Sequence, residues 1–172
     1  MTAAADGDVV VFLIGSRINH YWAPWSWLPV LLAMFRMLRE LSRDREAGLL
    51  GYRVTLGGPR DFGVVQYWQS RHKLFAYASD TAKEHRPAWS SFNRHARKGG
   101  GHVGIWHETY LVPDGHYENV YVHMPSYGLG SAYGTVPVSR RGDRAADRLK
   151  HRTAGDVSRS DAGPRTAEPP RR

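Results

Sequence analysis

Between Ser26 and Gly48, the large apolar residues Leu28, Leu31, Leu32, Phe35, Leu38 and Leu41 recur at three- and four-residue spacing. Only an α-helix brings positions so spaced onto one stripe, and such a stripe has to be buried against another layer. Ser26 is the expected cap of this helix, and Gly48 suits its exit. The preceding run, Val9-Val-Val-Phe-Leu-Ile14, is bounded by Asp8 and Gly15 and predicts a buried strand. Leu50–Leu56 and Phe62–Trp68 read as two more strands, joined by the hairpin chemistry of Gly57-Gly-Pro-Arg-Asp61. Ser70 predicts the cap of a second helical stretch through Leu74, Phe75 and Ala78. A fresh start at Asp80-Thr-Ala-Lys-Glu84 leads to His85, Ala88, Trp89, Phe92 and Ala96 on one helical face, which ends near Gly99-Gly-Gly101. Val103–Val112 then alternates. Val103, Ile105, His107, Thr109 and Leu111 fall on one side, with Trp106, Glu108 and Tyr110 on the other. Pro113-Asp-Gly115 turns the chain into Tyr117–Met124, expected as a further strand extending the last one into a hairpin.

The order is β-α-β-β-α-β, the ferredoxin-like α+β plan. Its two helices cover one face of the sheet and leave the other in need of a partner. A homodimer whose sheets close into a dimeric α+β barrel meets that need, with a cavity between each sheet and its covering elements. At 172 residues one such domain is expected, over residues 8–138. Residues 139–172 hold ten Lys/Arg and five Asp/Glu, and from Arg140 onward only Leu149 and Val157 are larger aliphatics. That composition cannot bury enough apolar surface to offset the entropy of ordering it, so 139–172 is expected as a basic, disordered tail with a short helix around Asp143–Arg152.

Composition removes several kinds of chemistry. Without cysteine there is no disulfide framework, no cysteine-ligated zinc or iron–sulfur cluster and no thiolate nucleophile. The net charge of +8 sits mostly in the tail, so a nucleic-acid partner is not the expectation; Arg94, Arg97 and Lys98 complement a helix end. The longest apolar stretch, Trp27–Leu41, is broken by Arg36, Arg39 and Glu40 and cannot span a membrane. Met1–Asp8 carries two acids and no base, the wrong polarity for a signal peptide, and the cytoplasm is the expected compartment. Gly99-Gly-Gly101 lacks the Lys-Ser/Thr of a phosphate loop, and no serine lies in a Gly-x-Ser-x-Gly elbow. His20, His72, His95, His102, His116 and His123 form no zinc spacing along the chain.

Two histidines remain for chemistry. His85 lies on a helical face beside Ala88, Trp89 and Phe92, and His107 lies on the inward side of its strand, so both can face one aromatic pocket; either could equally be a hydrogen-bonded core imidazole.

Tyr67-Trp68-Gln69-Ser70 and His85-Arg-Pro-Ala-Trp-Ser-Ser-Phe92 resemble the later helix region of antibiotic-biosynthesis-type monooxygenases, which are dimeric α+β barrels. Together with Trp106-His107-Glu108, His85 is also similar to the histidine arrangement of haem-dependent aldoxime dehydratases. Across residues 9–135, Gly104-Ile-Trp-His-Glu-Thr-Tyr110, Asn119-Val-Tyr-Val-His-Met-Pro125 and Gly128-Leu-Gly130 resemble a monooxygenase-like, aldoxime-lyase-like family. The resemblance implies a haem b enzyme acting on a small oxime-like or aromatic molecule. His85 would be the axial iron ligand, Trp89 and Phe92 would lie against the haem, His107 would be the distal acid/base, and Trp68 and Tyr110 would touch substrate. Aldoxime dehydratases carry two such repeats in one longer chain, whereas this chain holds one. Two alternatives stay open: a cofactor-independent monooxygenase of the same fold that uses His107 as base, and a non-enzymatic ligand-binding barrel with Tyr21, Trp22 and Trp25 at its mouth.

Overall fold

The computed structural model describes residues 1–80 and 101–149. Strand β1 (Thr2–Ala3) is followed by β2 (Val9–Ile18), helix α1 (Pro24–Arg43), a 3-10 turn at Arg45–Ala47, strands β3 (Leu49–Leu56) and β4 (Asp61–Trp68), helix α2 (Arg71–Ser79) and strand β5 (Val103–Val112). Helix α3 (Leu129–Tyr133), strand β6 (Thr135–Val136), a second 3-10 turn at Val138–Arg140 and helix α4 (Ala145–Arg148) complete the described chain. Four strands form one antiparallel sheet in the order β3-β4-β2-β5. With β2 and β4 at its centre, this is the ferredoxin-like arrangement expected from the element order. No helix among the described residues is long and apolar enough to cross a membrane.

The elements follow from their sequences with a few displaced boundaries. Helix α1 starts ahead of Ser26, because Pro24 at the first position is pre-set for helical φ and has no N–H to leave unpaired; Ala23 occupies the cap position. Of the expected stripe, Leu38 and Leu41 are buried, joined by Met34, while Leu28, Leu32 and Phe35 are exposed, so the buried stripe is rotated from the expected one. Gly48, at φ 88°, closes the 3-10 turn rather than α1 itself. Ser70 caps α2 as expected, accepting from the Lys73 N–H at 3.2 Å.

Strand β2 runs four residues past the expected Ile14 because Gly15 removes a steric obstacle. A Cβ at Gly15 would lie 2.6 Å from the Trp106 indole, the ring of its partner across the β2–β5 ladder.

The two faces of the sheet are covered differently. On one, α1 and α2 bury two adjoining clusters, Met34, Leu38 and Val64 in one and Val10, Leu41, Trp68, Leu74 and Tyr77 in the other. On the other face Val9, Val65 and Tyr67 pack against Ala3, Ala5 and Leu129, with Tyr117, Tyr121 and Tyr133 around them. Here the structure corrects one expectation. Tyr117–Met124 forms no strand: the Tyr121 N–H donates instead to the Met1 carbonyl, and the Asn119 side chain accepts from the Ala3 N–H at 2.7 Å. The chain's own N-terminal residues thus occupy part of the face reserved for a second copy, and β1 pairs with β6 to seal the layer. What stays open lies toward Trp106 and Tyr110, 42% and 50% exposed.

Residue 139, the expected start of the tail, falls inside a tethered segment. Arg141 donates to the Ala5 carbonyl and pairs with Asp6, and Arg148 reaches Glu118 through Nε at 2.9 Å. The short helix expected around 143–152 is seen as Ala145–Arg148.

Candidate functional site

Between the helix-covered face and the two helices lies a cavity of about 230 Å³. Its floor comes from alternate positions of three strands: Phe12 and Ile14 of β2, Gln66 and Trp68 of β4, and Ile105, His107 and Thr109 of β5. Met34, Met37, Leu38 and Leu41 of α1, with Leu74, Phe75, Tyr77 and Ala78 of α2, form the roof. The period of two along β5 is what aims Ile105, His107 and Thr109 at this space together.

The polar groups are few and ordered. Trp68 is 1% exposed, and its indole N–H donates to the Gln66 Oε1 at 2.9 Å. An indole nitrogen can only donate, so this bond fixes the amide with its oxygen toward Trp68 and its NH2 group the other way. Tyr77, whose ring lies 5.9 Å from that of Trp68, donates its hydroxyl to Glu40. His107 pairs across the ladder with Ile14, and its ring stands 5.8 Å from the Phe12 ring, tilted by 40°. Because β5 is an edge strand, the imidazole remains exposed while lining the cavity. Among the described residues none hydrogen-bonds its ring nitrogens, which leaves both for an incoming molecule.

Trp68 and His107, two of the expected site residues, are therefore brought to one cavity. Tyr110 is not among the residues lining this cavity. It projects from the opposite side of β5 and donates its hydroxyl to Glu108 at 2.6 Å, and that carboxylate pushes the phenol pKa up. Alternation alone separates it from His107 by an odd number of residues. His85, Trp89 and Phe92 lie outside the described residues. Tyr21, Trp22 and Trp25 precede or open α1 and none lines the cavity. Gln66 and Thr109 were missed by the sequence reading, although Gln66 stands two residues from Trp68 in an apolar strand and so must share its face.

The expected haem ligand His85 lies outside the described residues, and the described cavity is small. The volume is below the roughly 300–1,000 Å³ of pockets that take drug-sized ligands, and among the described lining residues His107 offers the single imidazole. Those residues include no cluster of three or more metal-ligating His, Asp or Glu side chains.

The family model described as monooxygenase af470-like matches residues 9–129. Monooxygenase af470 of Aspergillus fumigatus is 32% identical over 146 residues, 80% of this chain and 50% of the relative, so the chain spans about half the length of the curated relative it matches. Both speak for the monooxygenase side of the expected resemblance and not for the aldoxime dehydratase side. Among solved structures, a conserved protein from Bacteroides thetaiotaomicron described as a possible oxidoreductase is similar at 13% identity, TM-score 0.43, over 62% of this chain and 99% of that one. SnoaB, a cofactor-independent oxygenase from Streptomyces nogalater, is similar at 11% identity, TM-score 0.38, over 62% and 92%. A dimeric ferredoxin-like protein from Jannaschia sp. CCS1 is similar at 15% identity, TM-score 0.40, over 58% and 97%.

Proposed function

The chain belongs to the monooxygenase af470-like family, and from that premise we propose that it oxygenates a small, electron-rich organic molecule held in the helix-side cavity, without a resident cofactor. The observation that carries this reading is one unpaired imidazole, His107, set at the edge of an otherwise apolar and aromatic chamber that also holds the oriented Gln66 amide. Histidine is the side chain most used for proton transfer. His107 would take a proton from an activated C–H of the substrate, and the resulting electron-rich carbon would react with dioxygen. A CH2 group then becomes C=O while the second oxygen atom leaves as water, so the substrate itself supplies all the electrons and no outside reductant is needed. Aliphatic side chains of α1 shield the reacting carbon from water, and the Gln66 NH2 and the Thr109 hydroxyl are the groups placed to donate to a developing oxyanion.

The haem form of this reading would take His85, outside the described residues, as axial ligand. One experiment separates the two. Protein purified without haem should be colourless and consume one dioxygen per product with an electron-rich cyclic ketone or phenol that carries an activated CH2. Uptake that appears only after haem addition, together with a Soret band lost in His85→Ala, would overturn the cofactor-free version.

The same reading includes a homodimer. The part of the sheet beyond the terminal layer, with Trp106 and Tyr110 exposed, would meet its counterpart in a second copy. Sedimentation at micromolar concentration should give twice the chain mass and Trp106→Glu should halve it; a monomeric parent would remove the dimer.

A further inference from the structure

Away from the cavity, the loop between β2 and α1 meets the start of β5. The N–H groups of Asn19 and His20 both donate to the His102 carbonyl, at 2.9 and 3.2 Å, and the Asn19 side chain donates to the Gly101 carbonyl at 2.8 Å. These bonds hold His20 and His102 side by side although 82 residues separate them. Their Nδ1 atoms stand 3.3 Å apart, with ring centres 5.2 Å apart and planes at 83°. Trp22 closes one side, its ring 4.8 Å from that of His102.

We propose that His20 and His102 form a two-histidine binding site for a divalent late transition-metal ion, Cu2+ or Zn2+, ligated through both Nδ1 atoms. Two nitrogens each about 2.05 Å from one ion at a tetrahedral angle stand about 3.3 Å apart, and their ring centres about 5.2 Å apart. A straight N–H···N bond of the same length would hold the ring centres at about 5.6 Å. Both observed distances fit two imidazoles that share one ion.

The chemistry agrees. When both rings carry their proton on Nε2, the two Nδ1 lone pairs face each other and call for a cation between them. Neutral imidazole suits copper and zinc, with copper held more tightly. Among the described residues, Arg60 is a cation near the pair. Its Nη1 is committed to the Asn19 carbonyl at 3.1 Å, with the guanidinium over the Tyr21 ring. Two protein ligands leave coordination positions for water or for a donor from a bound molecule. The exposed Trp22 and Trp25 beside them, 63% and 62% accessible, would serve as an aromatic wall for it.

The test uses the untagged full chain and the metal ions alone. Titration calorimetry with Cu2+ and with Zn2+ should show one equivalent bound, weakened roughly tenfold or more in His20→Gln and in His102→Gln but unchanged in His116→Gln. The one-equivalent Cu2+ complex of the unsubstituted protein should show two nitrogen couplings by electron paramagnetic resonance, a result that needs no variant to fold, and Cu2+ should quench part of the tryptophan emission. Absence of stoichiometric binding, a single nitrogen coupling, or an affinity in either His20→Gln or His102→Gln equal to that of the unsubstituted protein would overturn the site and leave a hydrogen-bonded histidine pair only.

Discussion

One sheet presents two faces, and they solve burial in opposite ways. The helix side packs large, irregular groups, Trp68, Leu74, Met34 and Met37, and leaves a chamber among them. The other side sets the small residues Ala3, Ala5 and Gly130 among Val65, Tyr67 and Leu129; there the Ala3 N–H donates to the Asn119 side chain, the Tyr121 N–H to the Met1 carbonyl and the Ala4 N–H to the Gly134 carbonyl. Gly130 shows how close that fit is, since a Cβ there would sit 2.8 Å from Tyr121. Side chains of unlike shape leave space between helices and strands, whereas small residues let a strand layer approach the sheet closely. The described cavity lies on the first face, and the proposed chemistry with it.

The largest expected consequence is chemical and confined to one side. His107→Ala should lower oxygenation by about 10²–10⁴-fold while moving the urea midpoint little, because the ring is exposed and unpaired; a variant at parental rate would break the assignment. Next, Trp68→Ala should cost about 3–5 kcal/mol in urea unfolding, since a fully buried indole leaves a cavity and strands the Gln66 carbonyl. On the other face, Asn119→Ala removes the acceptor of the Ala3 N–H and should cost about 1–2 kcal/mol with oxygenation retained. Equal loss of activity in that variant would mean the two faces are not independent.

The smallest effect is one of pH. Burial raises the phenol pKa of Tyr117, Tyr121 and Tyr133; at Tyr121 the N–H of Gly130 opposes the rise, and at Tyr117 Asp114 adds to it. All three belong to the small-residue face. A folded pKa above the unfolded one means that the contribution is complete below about pH 10 and disappears as pH climbs through the folded value. Denaturation midpoints taken from pH 8 to 11, with tyrosinate absorbance followed alongside, should fall only at the alkaline end, and hydrogen exchange should show β1 and β6 loosening before β4. Simultaneous loosening would blur the contrast between the faces.

How far this was readable from residues divides along the same line. The helix side was legible because Leu31 to Leu41 and Val103 to Val112 carry strong periods, and alternation alone put His107 on the inner side and Tyr110 on the outer. The terminal face was not. Thr2, Ala3 and Ala5 are small and aperiodic, so nothing local marks them as buried. Tyr117–Met124 has strand-like composition, yet its backbone partner, Met1, lies at the far end of the chain. The His20–His102 pair was hidden for the same reason, since ligand spacing along a sequence reveals only neighbours.

The indole laid across Gly15 carries an implication for how this chain can change. A side chain at position 15 has no room until position 106 becomes smaller, and a smaller residue at 106 leaves a bare hollow until position 15 fills it. Substitutions at the two sites should therefore be tolerated jointly and penalised singly, so that variants drawn from a random library would keep or replace Gly15 and Trp106 as a pair.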